Sequence, residues 1–261
     1  MDSETPGLIA LDFDGTSAVY EPHHAMHSGL MDLIAELLGR GYSWVLNSDR
    51  FTDMLIEVAL LLPPALQPEA IMSAQRFIHK RHGNGSYEPL QQWNDSRMEL
   101  HNALWKELSP GFEDWQQEIE SEFTVCESVV DDLVFAYRVP ASENTALRER
   151  MRGYIRPWPK AQLSGNHEWS FVLHADFSKA ALLEHYCAVR CIDTQKIIAV
   201  GDGFNDISML SAGLTPNTGC PADASSEVLA AVRAGGGYVA GCSGPEGTIE
   251  VLRYYQRIMD A

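Results

Sequence analysis

The chain has 261 residues, 19 basic and 36 acidic, for a net charge of −17. A surface that acidic repels nucleic acid and anionic membranes, so neither is expected as a partner. Hydrophobic residues at 45% and charged residues at 21% are an ordinary globular balance, and the length suits one large domain or a core with an insert.

The opening residues MDSETPG are acidic and polar, and the apolar run after them ends at Asp12, so no signal peptide is expected. GLIALDF (7–13) predicts a buried strand, being short, apolar and without alternation. Alternation at its end puts Asp12 and Asp14 on one side and Phe13 on the other. Two carboxylates that close suit Mg²⁺, a hard ion that takes oxygen ligands. Gly15 lets the chain turn and brings its amide near an anion. His23, His24 and His27 follow, with His23 and His27 four apart; a solvated loop and helix start is preferred over a metal cluster.

SGLMDLIAELLGR (28–40) has helical spacing at Leu30, Leu33, Ile34, Leu37 and Leu38, with Ser28 as candidate N-cap and Gly41 as stop. YSWVLNS then predicts a second strand and FTDMLIEVALLL a second helix. Strand, helix, strand, helix argues for a Rossmann-like α/β core, a parallel sheet with helices on both faces. The longest apolar piece, MLIEVALLLPPAL, is broken by Glu57 and Pro63-Pro64 and is too short to span a bilayer.

The middle differs in character. Residues 74–165 hold Trp93, Trp105, Trp115 and Trp158 and acidic helical stretches such as FEDWQQEIESEF. VFAYRVP and WSFVLHA read as antiparallel-type strands flanking this region. An α+β insert over 74–165 is expected, in a core made of 1–73 and 166–261. The tryptophans are assigned to packing before any sugar-stacking floor. Asn166, His167 and Glu168, near the return to the core, fit a hairpin turn as well as a substrate-facing edge. Beyond them Lys179 to Val189 predicts a helix, KIIAVGD a strand, DISMLSAG a helix closed by Gly213, GGYVAG a strand and TIEVLRYYQRIM a last helix. The five cysteines lack a framework spacing and are read as reduced thiols of a cytoplasmic protein.

Ligands of open α/β sheets bind outside the carboxyl ends of the strands. Four polar clusters fall at such ends or just inside the helix that follows: DFDGT (12–16), NSDR (47–50), SK (178–179) and GDGFND (201–206). Asp202 and Asp206 add carboxylate to the first pair. Ser48 and Lys179 supply what carboxylates lack for holding a phosphate, a hydroxyl and a compact positive charge.

The order DxDGT, Ser, Lys, GDxxND resembles that of haloacid dehalogenase-like (HAD) phosphohydrolases. The motifs lie in core segments covering about two thirds of the chain. The insert between the second and third motifs, opening with AIMSAQRFIHKR, resembles the C2 cap of subtype IIB, the Cof and sucrose-phosphatase-like branch. The resemblance implies Asp12 as nucleophile, Asp14 as general acid and then base, and Ser48 and Lys179 as holders of the phosphoryl oxygens. Gly15, Thr16 and Asn205 join the phosphate site, with Asn205 orienting Lys179 or a metal-bound water. Mg²⁺ would be held by Asp12, the backbone carbonyl of Asp14, Asp202 and Asp206, and the cap would set specificity. Three residues depart from the family pattern: Ser17 where an apolar residue is usual, and Asp49 and Ala180 where glycine is usual. Arg50 is read as a helix-start residue outside the site.

The expected function is therefore a Mg²⁺-dependent phosphatase acting on a small phosphorylated metabolite, a sugar phosphate first, as a monomer or homodimer. A sugar phosphomutase of the same fold and a non-catalytic phosphometabolite-binding protein are the alternatives.

Overall fold

A computed structural model describes residues 7–18, 25–166, 168–211 and 213–259. The first strand, β1 (Leu8–Leu11), is followed by α1 (Ser28–Gly39), β2 (Ser43–Ser48), α2 (Thr52–Leu61) and β3 (Ala70–Ser73). A hairpin then adds β4 (Phe77–Arg81) and β5 (Tyr87–Pro89). Next come α3 (Gln91–Leu108), α4 (Phe112–Glu122), β6 (Glu127–Val130), β7 (Phe135–Arg138), α5 (Ala141–Ile155), β8 (Ala161–Gly165) and β9 (Trp169–His174). The chain ends with α6 (Lys179–Arg190), β10 (Ile197–Val200), β11 (Asn217–Cys220), α7 (Ser226–Ala234), β12 (Tyr238–Val239) and α8 (Gly244–Met259).

Two compact units result, one of Met1–Gln91 with Ser178–Ala261, the other of Gln92–Phe177. The first holds an eight-stranded sheet in the order β12-β11-β10-β1-β2-β3-β4-β5. Strands β12 to β3 in that order run parallel, and β4 and β5 extend the edge antiparallel. Ile9, Leu11, Trp44, Leu46, Ile198 and Val200 share one core with Leu30, Ile34 and Leu37 of α1 and Val251 and Leu252 of α8. The alternate residues Leu8, Ala10, Val45, Ile197 and Ala199 are buried as well. Burial on both faces is why these strands read as unbroken apolar runs.

The second unit is α+β. Its sheet, β6-β7-β9-β8, is antiparallel throughout. Trp105, Phe112, Trp115, Phe135 and Tyr137 form its core with Leu147 and Met151 of α5, and Trp158 packs against them. Trp93 instead lies under the Arg97 guanidinium, 4.1 Å from the ring centre. No helix among the described residues is long and apolar enough to cross a membrane.

Several expectations differ in detail. The sequence places the insert at 74–165, but the division falls at 91/92 and 177/178, because the chain past Ser73 folds straight back as β4 on the core sheet. The described residues of 206–213 form no α-helix. A 3₁₀ turn at Phe204–Asp206 runs into further turns, since the Asp206 carboxylate folds back onto the amides of Asp202 and Gly203. The N-cap of α1 is His27, whose Nδ1 accepts from Leu30 N at 3.4 Å. His23, His24 and His167 lie outside the described residues. The strand β11 has no apolar pattern: Asn217 ties its amide to the Gln195 and Ile197 carbonyls, and a Cβ at Gly219 would come within 2.3 Å of Val251.

The turn between β3 and β4 is strained. Ala74 and Gln75 both take left-handed backbone angles, φ 50° and 53°, which glycine or asparagine adopts at less cost. Ala74→Gly is expected to raise stability by about 0.5–1 kcal/mol, read as a higher denaturant midpoint with unchanged slope. A lower midpoint would show that the turn is not strained.

Candidate active site

Each cluster singled out in the sequence ends a strand or opens a helix; parallel pairing brings the ends of β1, β2 and β10 side by side. Asp12 continues β1, its N–H donating to Val200 O at 3.0 Å. Beyond it the chain turns, with Ser17 and Ala18 N–H both donating to Phe13 O at 2.9 Å. Phe13 enters the apolar core, while Asp12 faces Lys179. Ser17, unusual for the family at its position, is fully buried and donates to the Asp12 carbonyl at 2.5 Å. Its hydroxyl holds the turn that carries both aspartates.

Lys179 opens α6 behind its N-cap, Ser178, whose side chain accepts from Ala181 N. Asn47 of β2 donates to the Lys179 carbonyl at 3.0 Å, fixing the helix start. The lysine side chain is fully buried and its Nζ stands 2.5 Å from both Asp12 Oδ1 and Asp206 Oδ1. Burial alone pushes such an ammonium toward losing its proton, but the pull of Asp12, Asp206 and Asp49 reverses this and holds it well above the ordinary lysine range. Burial, reinforced by Asp206 and Asp202, lifts the Asp12 carboxyl well above its usual range against the opposing pull of Lys179. Burial lifts Asp206 in the same way.

Asp202 joins through neighbours. Thr16 donates to its Oδ1 at 2.8 Å, and its own N–H donates to Asp206 Oδ2 at 3.0 Å. Gly15 sits against it with φ +74°, and a Cβ there would lie 2.4 Å from Asp202 Oδ2. Oxygens of Asp12, Asp202 and Asp206 lie within 4.8 Å of one another, the one such group among the described residues. Three buried carboxylates against one lysine leave a surplus of negative charge. Hard oxygen donors in that surplus fit a divalent cation of the Mg²⁺ kind.

Asp14 stands apart from the other three carboxylates. Both its oxygens are taken by Arg50, Nε on Oδ2 and Nη2 on Oδ1, each at 2.7 Å. Sequence reasoning set Arg50 aside as a helix-start residue. Its place directly after Ser48-Asp49, at the end of β2, was the one signal that it belonged to the site. Ser48 itself is buried at that strand end, its Oγ 3.4 Å from Arg50 N.

Asp49 is bridged on both sides. Gln75 Nε2 donates to its Oδ1 at 2.9 Å and Asn205 Nδ2 to its Oδ2 at 2.6 Å. The Asn205 side-chain amide donates to Asp49, and its buried Oδ1 has no partner among the described residues. The close protein surroundings raise Asp49 to about 6, with Asp206 adding and Lys179, Gln75 and Asn205 opposing. Gln75 could not be foreseen, since it lies 26 residues away in sequence and reaches the site only through the strained turn. The unusual Ala180 donates its N–H to Ser208 Oγ at 3.3 Å and removes no polar group from the site.

The family model for haloacid dehalogenase-like hydrolases matches residues 60–232, two thirds of the chain. The chain belongs to the haloacid dehalogenase-like hydrolase family. This hydrolase is also similar to several solved structures. The sucrose-phosphatase of Synechocystis, solved with sucrose and phosphate, shares 16% identity over 97% of this chain and 99% of its own, with a TM-score of 0.70. A subclass IIB sugar phosphatase of the HAD superfamily shares 13% over 96% and 99%, with a TM-score of 0.66. A HAD/Cof-like hydrolase of Plasmodium vivax shares 15% over 98% of both chains, with a TM-score of 0.67. At these identities the likeness is one of fold. No curated protein matches the sequence.

The folded chain binds the Asp49 proton more tightly than the unfolded chain, so ionising this group between its unfolded value, 3.8, and about 6 lowers wild-type stability. Asp49→Asn removes that cost. Its stability relative to wild type is expected to rise by up to about 3 kcal/mol from pH 4 to pH 7, measured by urea unfolding. Parallel pH curves for the two proteins would contradict the assignment.

Proposed function

We propose that this hydrolase is a phosphatase that cleaves the phosphate monoester of a small metabolite, a sugar phosphate, through an aspartyl-phosphate on Asp12. The observation that carries the reading is the Lys179 ammonium between Asp12 and Asp206, beside Asp202, at the carboxyl ends of the strands. A site built on carboxylates alone would repel a phosphate; a lysine fixed beside the attacking oxygen gives the phosphoryl group a positive partner.

Lys179 holds Asp12 Oδ1, which leaves Oδ2 to attack phosphorus. The Oδ2–P bond forms as the ester P–O bond breaks, and Asp14 gives a proton to the departing alcohol. Asp14 then takes a proton from the water that attacks the same phosphorus, and phosphate leaves as the Oδ2–P bond breaks. Splitting one displacement in two lowers each barrier. Ser48 donates a hydroxyl to the phosphoryl oxygens, and Gly15 and Thr16 supply backbone amides. Asp12, Asp202 and Asp206 would hold Mg²⁺, which would neutralise charge on the phosphate. Asn205 holds Asp49 through its side-chain amide.

Substrate choice is assigned to the inserted unit Gln92–Phe177, since the residues around Lys179 recognise only the phosphate end. The sugar reading draws on the fold neighbours, one solved with sucrose and phosphate and one a sugar phosphatase.

A phosphate-release panel of sugar phosphates, phosphorylated small acids and nucleotides tests the proposal. Turnover is expected with Mg²⁺, loss in EDTA with return on adding Mg²⁺, and a fall of at least about 10³-fold in Asp12→Asn. Undiminished release in EDTA, or an active Asp12→Asn protein, would contradict it.

A further inference from the structure

Arg50 is held with more care than a surface arginine needs. Its fork engages both oxygens of Asp14, and its guanidinium lies over the Phe13 ring, 5.1 Å from the centre. Phe13 is fully buried between the two aspartates of the first motif. The backbone under Arg50 is pinned too. Ala74 N–H donates to Ser48 O at 3.1 Å and to Arg50 O at 3.2 Å, from the turn whose two residues are left-handed. Partly exposed ion pairs contribute little stability, so stability alone does not account for a strained turn aimed at this loop.

An aspartate carboxyl rotates broadly about its last bond, because that torsion joins sp³ and sp² carbons. Two parallel N–H···O bonds from one rigid fork remove that freedom. We propose that Arg50 is a positioning residue for Asp14, fixing the plane of its carboxyl so that proton exchange with the ester oxygen occurs from one orientation. The inference rests on the phosphatase reading and adds Arg50 to it. A lysine in its place offers charge without the fork, so Lys cannot restore the effect.

The test compares kcat/KM for two esters in wild type, Arg50→Gln and Arg50→Lys. The value of kcat/KM reports the steps through loss of the leaving group. p-Nitrophenolate leaves without a proton, whereas the alcohol of the best sugar phosphate needs one. Both Arg50 variants are expected to lose about 10²-fold on the sugar phosphate while staying within about 3-fold of wild type on p-nitrophenyl phosphate. Retained p-nitrophenyl phosphate turnover also reports an intact fold. Equal losses on both esters, full activity of Arg50→Lys on the sugar phosphate, or faster turnover in either variant would overturn the inference while leaving the phosphatase reading in place. A wild-type chain that releases phosphate from neither ester would overturn both.

Discussion

The Lys179 ammonium, fully buried and 2.5 Å from both Asp12 and Asp206, is the constraint on which the rest of the site depends. Desolvating a charge costs several kcal/mol unless it is paired, and here each partner would be equally costly alone. The lysine therefore needs the carboxylates and they need it. Three separate pieces of chain, the end of β1, the start of α6 and the turn after β10, must meet for any of them to be buried ionised. Parallel pairing of β1 with β10 brings two of those ends together, and Asn47 of β2 holds the start of α6 beside them, so fold and charge balance specify the same arrangement.

Much of this was legible because the relevant signals are local. Unbroken apolar runs mark the central strands, and four polar clusters in one order, rather than any single aspartate, mark the site. The same logic failed where the signal is not local. The polar strand β11 takes its stability from Asn217 side-chain bonds and from the close approach of α8, neither of which leaves an apolar pattern. The hairpin of β3 and β4 lacks the Asn-Gly signature of a tight turn, and the insert was therefore placed too early. Arg50 and Gln75 were missed for a related reason: what they do follows from which carboxylate each meets in space.

One departure from the family pattern, Asp49, is held from two sides. Asp49 replaces a usual glycine, and Gln75 in the strained turn reaches across to hold it. Asn205 takes its other oxygen, which couples the second and fourth motifs through a carboxylate. The loop carrying Ser48, Asp49 and Arg50 is thus tied by backbone and side chain to the β3–β4 turn, and through Arg50 to the first motif. Backbone strain is placed where it fixes polar groups, as is common at functional sites.

One buried lysine keeps the carboxylate cluster folded and charged. The unfolding free energy of Lys179→Met between pH 5 and pH 8, without divalent cation, measures that dependence. At pH 8 the account predicts a loss of about 3–5 kcal/mol from two uncompensated buried carboxylates. Because burial raises Asp12 and Asp206, the folded variant binds protons more tightly than the unfolded chain, so part of the loss should return as pH falls. A variant as stable as wild type at pH 8, with no pH dependence of the difference, would contradict the account.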